Sequence, residues 1–235
     1  MCRWPEYFVD IVMCIDVTAS MAPVLDEIRK TILTFFDRFR LGIRENGAEL
    51  GKGRIKVIAF RDYGYDSEPL QESPFYTIPG QKGELRRFLD SLEAYGGVEN
   101  YSRGIEPACA LEAMALAFQS EWTCRFPRRR HLIFVFTDAP AWRLWQRAED
   151  PQYPYMYMPN DLDSLRNWWD GTAMPGRGSF DHIAGRMLIM APETYPWTAF
   201  EDWDECGVAY CPIGSLTPSF VRETMDELFD TMFEV

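Results

Sequence analysis

Phe8-Val9-Asp10-Ile11-Val12-Met13-Cys14-Ile15-Asp16-Val17-Thr18-Ala19-Ser20 is the stretch on which the fold turns. Its first eight residues form a nearly continuous apolar run, the pattern of a strand covered on both faces in a parallel α/β sheet. A carboxylate and two hydroxyls follow at alternate positions: Asp16, Thr18 and Ser20. Beyond them Val24, Leu25, Ile28, Ile32, Phe35, Phe36 and Phe39 recur at three-to-four spacing and predict a helix. Arg54 to Phe60 then reads as a second strand, entered from a loop that holds Gly51 and Gly53.

The same alternation runs to the end of the chain. Phe75 to Ile78, bracketed by Pro74 and Pro79, reads as a short third strand, and Glu84 to Tyr95 as an amphipathic helix stopped by Gly96-Gly97. Pro107 opens a helix bearing Leu111, Ala115, Phe118 and Trp122 on one face. Leu132 to Phe136 is the clearest buried strand, Met187 to Met190 and Gly207 to Cys211 are weaker ones, and Thr217-Pro218 caps a last helix. Strands alternating with helices predict one domain, residues 1–235, with a mainly parallel sheet between helical layers. Residues 139–185 are too long for an ordinary connection and are rich in Pro, Tyr and Trp. They read as an insertion, either a lid packed over the sheet edge or a binding surface, with a short helix from Asp161 to Trp169.

Composition narrows the function. The 235 residues carry 36 acidic and 24 basic side chains, a net charge of −12, which disfavours binding to a phosphate backbone. The one basic run, Arg128-Arg129-Arg130-His131, enters a strand and reads as a solvated edge. No stretch is apolar for long enough to span a bilayer, and the N-terminus lacks the plan of a secretory signal, so a cytoplasmic location with no membrane partner is expected. The six cysteines contain no CxxC and no adjacent histidine that would complete a zinc pattern.

In a parallel sheet, ligands bind beyond the carboxyl ends of the strands near the point where strand order reverses. After the first strand stand Asp16, Thr18 and Ser20, and after Leu132–Phe136 stand Thr137 and Asp138. Two carboxylates with hydroxyls suit a hard dication, Mg²⁺ or Mn²⁺, and suit zinc poorly. Arg61-Asp62-Tyr63 falls at the same edge, where a loop-bracing ion pair competes with a site role.

At these residues the chain resembles the von Willebrand factor A (vWA) family and its metal-ion-dependent adhesion site. The family pattern is Asp-x-Ser-x-Ser after the first strand, a Thr or Asp in a middle loop, and an Asp after the fourth strand. Here Thr18 replaces a serine and keeps its hydroxyl, Asp138 stands in Thr137-Asp138-Ala139, and Phe60-Arg61-Asp62-Tyr63 matches the flank. The wording is most similar to bacterial cytoplasmic vWA proteins, including those of tellurite-resistance-type gene neighbourhoods. The resemblance implies a three-layer, doubly wound, Rossmann-like fold with a mainly parallel six-stranded sheet and helices on both faces. It implies metal ligands Asp16, Thr18, Ser20 and Asp138, with Glu99 at the acidic position of the middle loop. Asn100, Ser102 or Glu106 could serve there instead.

The function implied is metal-dependent binding of a partner protein's acidic residue, with no catalysis. Partners implied are a kinase, a phosphatase or an AAA-type ATPase encoded nearby. A Mg²⁺-dependent hydrolase of the haloacid-dehalogenase kind is the rival, but it wants Asp-x-Asp, where Thr18 stands, and a later lysine, whereas Lys82 is the last one. A vWA scaffold that binds partners without metal is the third possibility. Neither His131 nor His182 has the Ser or Cys partner of a catalytic base, and no P-loop or dinucleotide fingerprint is present.

Overall fold

The structure, a computed structural model, describes residues 4–96, 106–156, 158–173 and 178–231. A mixed, mostly parallel sheet forms from β1 (Glu6–Asp16), β2 (Glu49–Phe60), β3 (Leu70–Glu72), β4 (Tyr76–Ile78), β5 (Arg129–Phe136), β6 (Gly185–Pro192) and β7 (Cys206–Cys211). Its order is β3-β2-β1-β5-β6-β7, with β4 also paired to β2. Strands β2, β1, β5, β6 and β7 run parallel, while β3 and β4 lie antiparallel on successive stretches of the outer edge of β2.

The sheet therefore has seven strands where the apolar runs predict six. The added one, β3, reads Leu70-Gln71-Glu72, too short for any alternation to be seen. Pairing defines it: Leu70 to Glu72 oppose Phe60 to Ile58, and the Ser73 hydroxyl accepts from the Val57 amide at 2.9 Å.

β1 is the central strand, and Phe8 to Ile15 pair on both sides. Both faces of such a strand are dry, which is why its sequence is apolar without alternation. Ile11, Met13 and Ile15 join one core with α1 (Leu25–Glu45), α2 (Lys82–Ser91) and α5 (Pro218–Thr231). Val12 and Cys14 join the other core, with α3 (Ala110–Phe118) and α4 (Leu162–Trp169). Asp10 interrupts the apolar run, and the Arg54 guanidinium answers it with two bonds, Nε to Oδ1 at 2.8 Å and Nη2 to Oδ2 at 2.5 Å. Among the described residues no helix is long and apolar enough to cross a membrane.

Two helix starts shift from the expected positions. α2 begins at Lys82 and ends at Ser91, short of Tyr95. α3 begins at Ala110 because Ala108 is held in a bridge to Ala141, its amide donating to the Pro140 carbonyl at 3.0 Å. The insertion after β5 packs as a lid in part: Tyr153, Met158, Leu165, Trp168 and Trp169 are buried in the second core, whereas Tyr155 and Met156 are exposed. Trp145 within it adopts a left-handed backbone (φ 69°). Its amide and indole N–H, bonded to the Tyr153 hydroxyl and the Pro159 carbonyl at 2.7 Å each, hold it there.

Candidate metal centre

Strand order reverses at β1. The chain leaves β1 for β2 on one side and later builds β5, β6 and β7 on the other, so the crevice between the carboxyl ends of β1 and β5 is the switch point. Asp16 is the last residue of β1, and Asp138 stands two residues beyond the end of β5. Both are sealed from solvent, at 0% and 1% exposure.

A chain of hydroxyls joins the two carboxylates. The Thr18 amide and hydroxyl donate to Asp16 Oδ1 at 2.9 and 2.7 Å, and the Thr137 hydroxyl donates to Oδ2 at 2.7 Å. The Ser20 hydroxyl donates to Asp138 Oδ1 at 2.8 Å. Thr18 Oγ1 and Ser20 Oγ lie 3.3 Å apart. A hydroxyl has one proton to give, and each of these two has given it to a carboxylate. Their remaining lone pairs converge between the two carboxylates, where a cation can take them.

The chain brings no cation into contact with them. Among the described residues no lysine or arginine pairs with Asp16 or Asp138. Arg61, the nearest in sequence to this edge, is fully buried and spends its guanidinium on the carbonyls of Val17, Glu68 and Glu93, at 3.2, 2.8 and 2.7 Å. Burial pushes the Asp16 carboxyl up to about 6; the hydroxyls of Thr137 and Thr18 pull it back, and Asp138 adds to the rise. Asp138 is raised as well, chiefly by burial, with the Ser20 hydroxyl opposing. The Arg61 charge acts on Asp16 without touching it, and a dication between the two desolvated carboxylates lowers their remaining cost. The donor set fits a hard oxygen-loving ion. Among the described residues no three His, Cys, Asp or Glu side chains gather into a metal-ligating group, so the fit rests on two carboxylates and hydroxyls.

Asp16, Thr18, Ser20 and Asp138 thus come together as expected, and Thr137 belongs with them. Its position directly before Asp138 was the available signal, since a residue at the strand end can turn its side chain toward the neighbouring strand. Glu99, Asn100 and Ser102 lie outside the described residues. Gly96, just before that segment, touches the site turn: its carbonyl accepts from the Ala19 amide at 3.4 Å. Gly96 has φ 78°, and a Cβ there would meet Asp66 Oδ1 at 1.8 Å, so no side chain fits.

Glu106 is turned to another task. Arg147 Nη2 bonds both Asp62 Oδ2 at 2.9 Å and Glu106 Oε1 at 3.3 Å, and its guanidinium lies 4.0 Å from the centroid of the Trp142 ring. The Trp142 indole donates to the same Asp62 oxygen at 2.6 Å. The Phe60-Arg61-Asp62-Tyr63 segment therefore braces loops, with Asp62 tying β2 to the insertion. Nothing local in the sequence pairs Asp62 with Arg147. The histidines lie elsewhere: His131 is buried near the start of β5, stacked on Trp122 at 4.7 Å, and His182 lies just before β6.

The sheet order, the switch-point crevice and the flanking helices define an α/β fold that other solved structures share. The chain is similar to the pilus adhesin SpaC from Lactobacillus rhamnosus GG, with a TM-score of 0.55 and 9% identity over 99% of this chain and 30% of that one. It is similar to proximal thread matrix protein 1 of the mussel byssus, with a TM-score of 0.56 and 9% identity over 99% of this chain and 50% of that one. A von Willebrand factor type A protein from Catenulispora acidiphila aligns at a TM-score of 0.49 and 12% identity over 95% of this chain and 42% of that one. The chain thus spans half or less of the length of these proteins, and the likeness at such identity is one of fold alone. No family model matches the chain, and no curated protein matches it in sequence.

Proposed function

We propose that this chain is a vWA-type binding module that holds Mg²⁺ or Mn²⁺ at the β1/β5 crevice and uses it to capture an acidic side chain of a partner protein. Asp16, Thr18, Ser20 and Asp138 hold the ion, Thr137 orients Asp16, and the segment with Glu99, Asn100 and Ser102 supplies the middle ligand. The observation that carries this reading is the cluster of Thr18 Oγ1 and Ser20 Oγ, 3.3 Å apart, between two buried carboxylates that no basic side chain contacts. A bound dication retains positive charge that an acidic partner residue can complete. The resemblance of the motif to bacterial cytoplasmic vWA proteins is what supports a kinase, a phosphatase or an AAA-type ATPase as the partner class and the cytoplasm as the location.

Catalysis is disfavoured by the same geometry. Asp16 accepts three hydrogen bonds on its two oxygens, which leaves it poorly placed as a nucleophile, and neither histidine neighbours it as a base. Those three bonds also favour a second reading, a scaffold that binds partners without metal, because they satisfy Asp16 internally. Calorimetric titration of Mg²⁺ and Mn²⁺ into metal-stripped protein separates the two. The metal-dependent reading expects saturable binding that Asp16→Ala/Asp138→Ala abolishes, and the absence of saturable binding to folded wild-type protein overturns it.

A further inference from the structure

The carboxyl edge of the sheet presents more than the metal ligands. Of the eight large hydrophobic side chains exposed among the described residues, five follow the ends of parallel strands on this edge. Tyr65 follows β2, Tyr155 and Met156 belong to the insertion after β5, Tyr195 follows β6 and Ile213 follows β7. Solitary exposed apolar residues are ordinary; several on the segments that leave one edge of a sheet make that edge the candidate contact surface.

One cation sits in this rim without a carboxylate. Arg143 is exposed, and its guanidinium lies 5.9 Å from the centroid of the Tyr195 ring; no acidic side chain pairs with it among the described residues. Its place is tied to the metal crevice from two directions. Arg143 is five residues beyond Asp138, and Tyr195 is two before Trp197, whose indole donates to the Ala139 carbonyl at 2.9 Å. Five residues of extended chain cover at most about 18 Å, so one short peptide can reach both the crevice and Arg143.

We propose that the partner segment is an acidic–apolar peptide with two carboxylates: one completes the metal, the second pairs with Arg143, and apolar side chains beside them pack on Tyr195, Tyr65 and Met156. This rests on the metal-dependent reading given above and adds the partner's chemistry to it. Arginine suits the second role, because its planar fork takes a carboxylate bidentately while its face lies on an aromatic ring. The apolar rim lowers the local dielectric and strengthens that pair.

The test is an array of nine-residue peptides with a fixed central glutamate. A second glutamate or glutamine is placed one to five positions further on, in a background of leucine and phenylalanine or of serine. The array is probed with full-chain protein saturated with Mn²⁺. Expected is selection for the apolar background and for the second glutamate. Arg143→Gln should lower binding of the doubly acidic peptides about tenfold, to the level of the glutamine series. Tyr195→Ser/Met156→Ser should erase the preference for leucine and phenylalanine. Both variants should titrate Mn²⁺ as wild type does. If wild-type protein binds Mn²⁺ but selects no second glutamate, or if Arg143→Gln keeps that selection, the inference is overturned and the metal site stands. If Mn²⁺ itself does not bind, the underlying reading falls first.

Discussion

Ser20 Oγ donates to Asp138 Oδ1 across 2.8 Å, closing the gap between the ends of β1 and β5 with a contact between residues 118 apart in sequence. The hydroxyl thereby does two things at once: it satisfies a buried carboxylate and stands 3.3 Å from the Thr18 hydroxyl. The first role stabilises the fold by itself; the second belongs to the proposed ion site.

Removing that hydroxyl separates the two roles. Ser20→Ala should weaken Mn²⁺ binding about tenfold or more, while changing the metal-free melting temperature little, since a lost hydrogen bond is offset by relief of the lone-pair contact. Calorimetry and thermal melts on the same samples check it. A large fall in metal-free stability with unchanged affinity would refute it.

Metal affinity should depend on pH through Asp16. Its carboxyl, at about 6, lies above the ordinary 3.8, so the metal-free fold favours the protonated form. That preference is fully present below about pH 4 and is lost as pH rises through 6. A dication competes with the proton, so affinity should climb steeply from pH 5 to 6 and level off above 7. Titrations across pH 5 to 8 read this directly, and a flat profile contradicts it.

A second buried acid gives a stability signature away from the site. Glu112 on α3 is fully buried and accepts from the Tyr153 hydroxyl at 2.9 Å, while its other oxygen, Oε2, has no partner. Burial pushes its carboxyl up to about 7 from an ordinary 4.5. Stability held below pH 4.5 should therefore drain away as pH rises through 7, by about 3 kcal/mol in the limit. Glu112→Gln should flatten that decline. Denaturant unfolding of both proteins at pH 5, 7 and 8 measures the difference, and parallel slopes would refute the assignment.

The brace between β2 and the insertion makes its own prediction. Arg147→Met leaves Asp62 and Glu106 buried with their cation gone, which should cost about 3 kcal/mol and expose residues 139–185 to limited proteolysis. Cleavage mapping by mass spectrometry locates the first cut. An initial cut elsewhere in the chain would argue that the insertion is held by its aromatic packing instead.

What the sequence discloses of this molecule follows from where the burial lies. β1 and β5 are legible because both their faces are dry, and Asp16 and Asp138 are legible because each ends such a run. Those features are local. β3 is three residues long and exists through its partner, so no pattern of its own betrays it. The start of α3 is fixed by Ala108 pairing across to Ala141, which overrides the ordinary habit of proline at a helix start. The insertion's aromatics suggest either a lid or a contact surface, and the structure divides them: Tyr153, Trp168 and Trp169 are core, Tyr155 is not. Thr137 is legible beside Asp138. Arg147 is not, because its partner Asp62 lies 85 residues away.

Arg147 also gives the molecule a path along which load can travel. One guanidinium is bonded to Asp62 at the end of β2 and to Glu106 on the segment that leads into α3, while its own backbone belongs to the insertion. Three parts of the chain therefore share a single rivet. A pull on the insertion is passed through Arg147 to Asp62 and to Glu106. Tension on the insertion is in this way shared with the end of β2 and with the entry to α3.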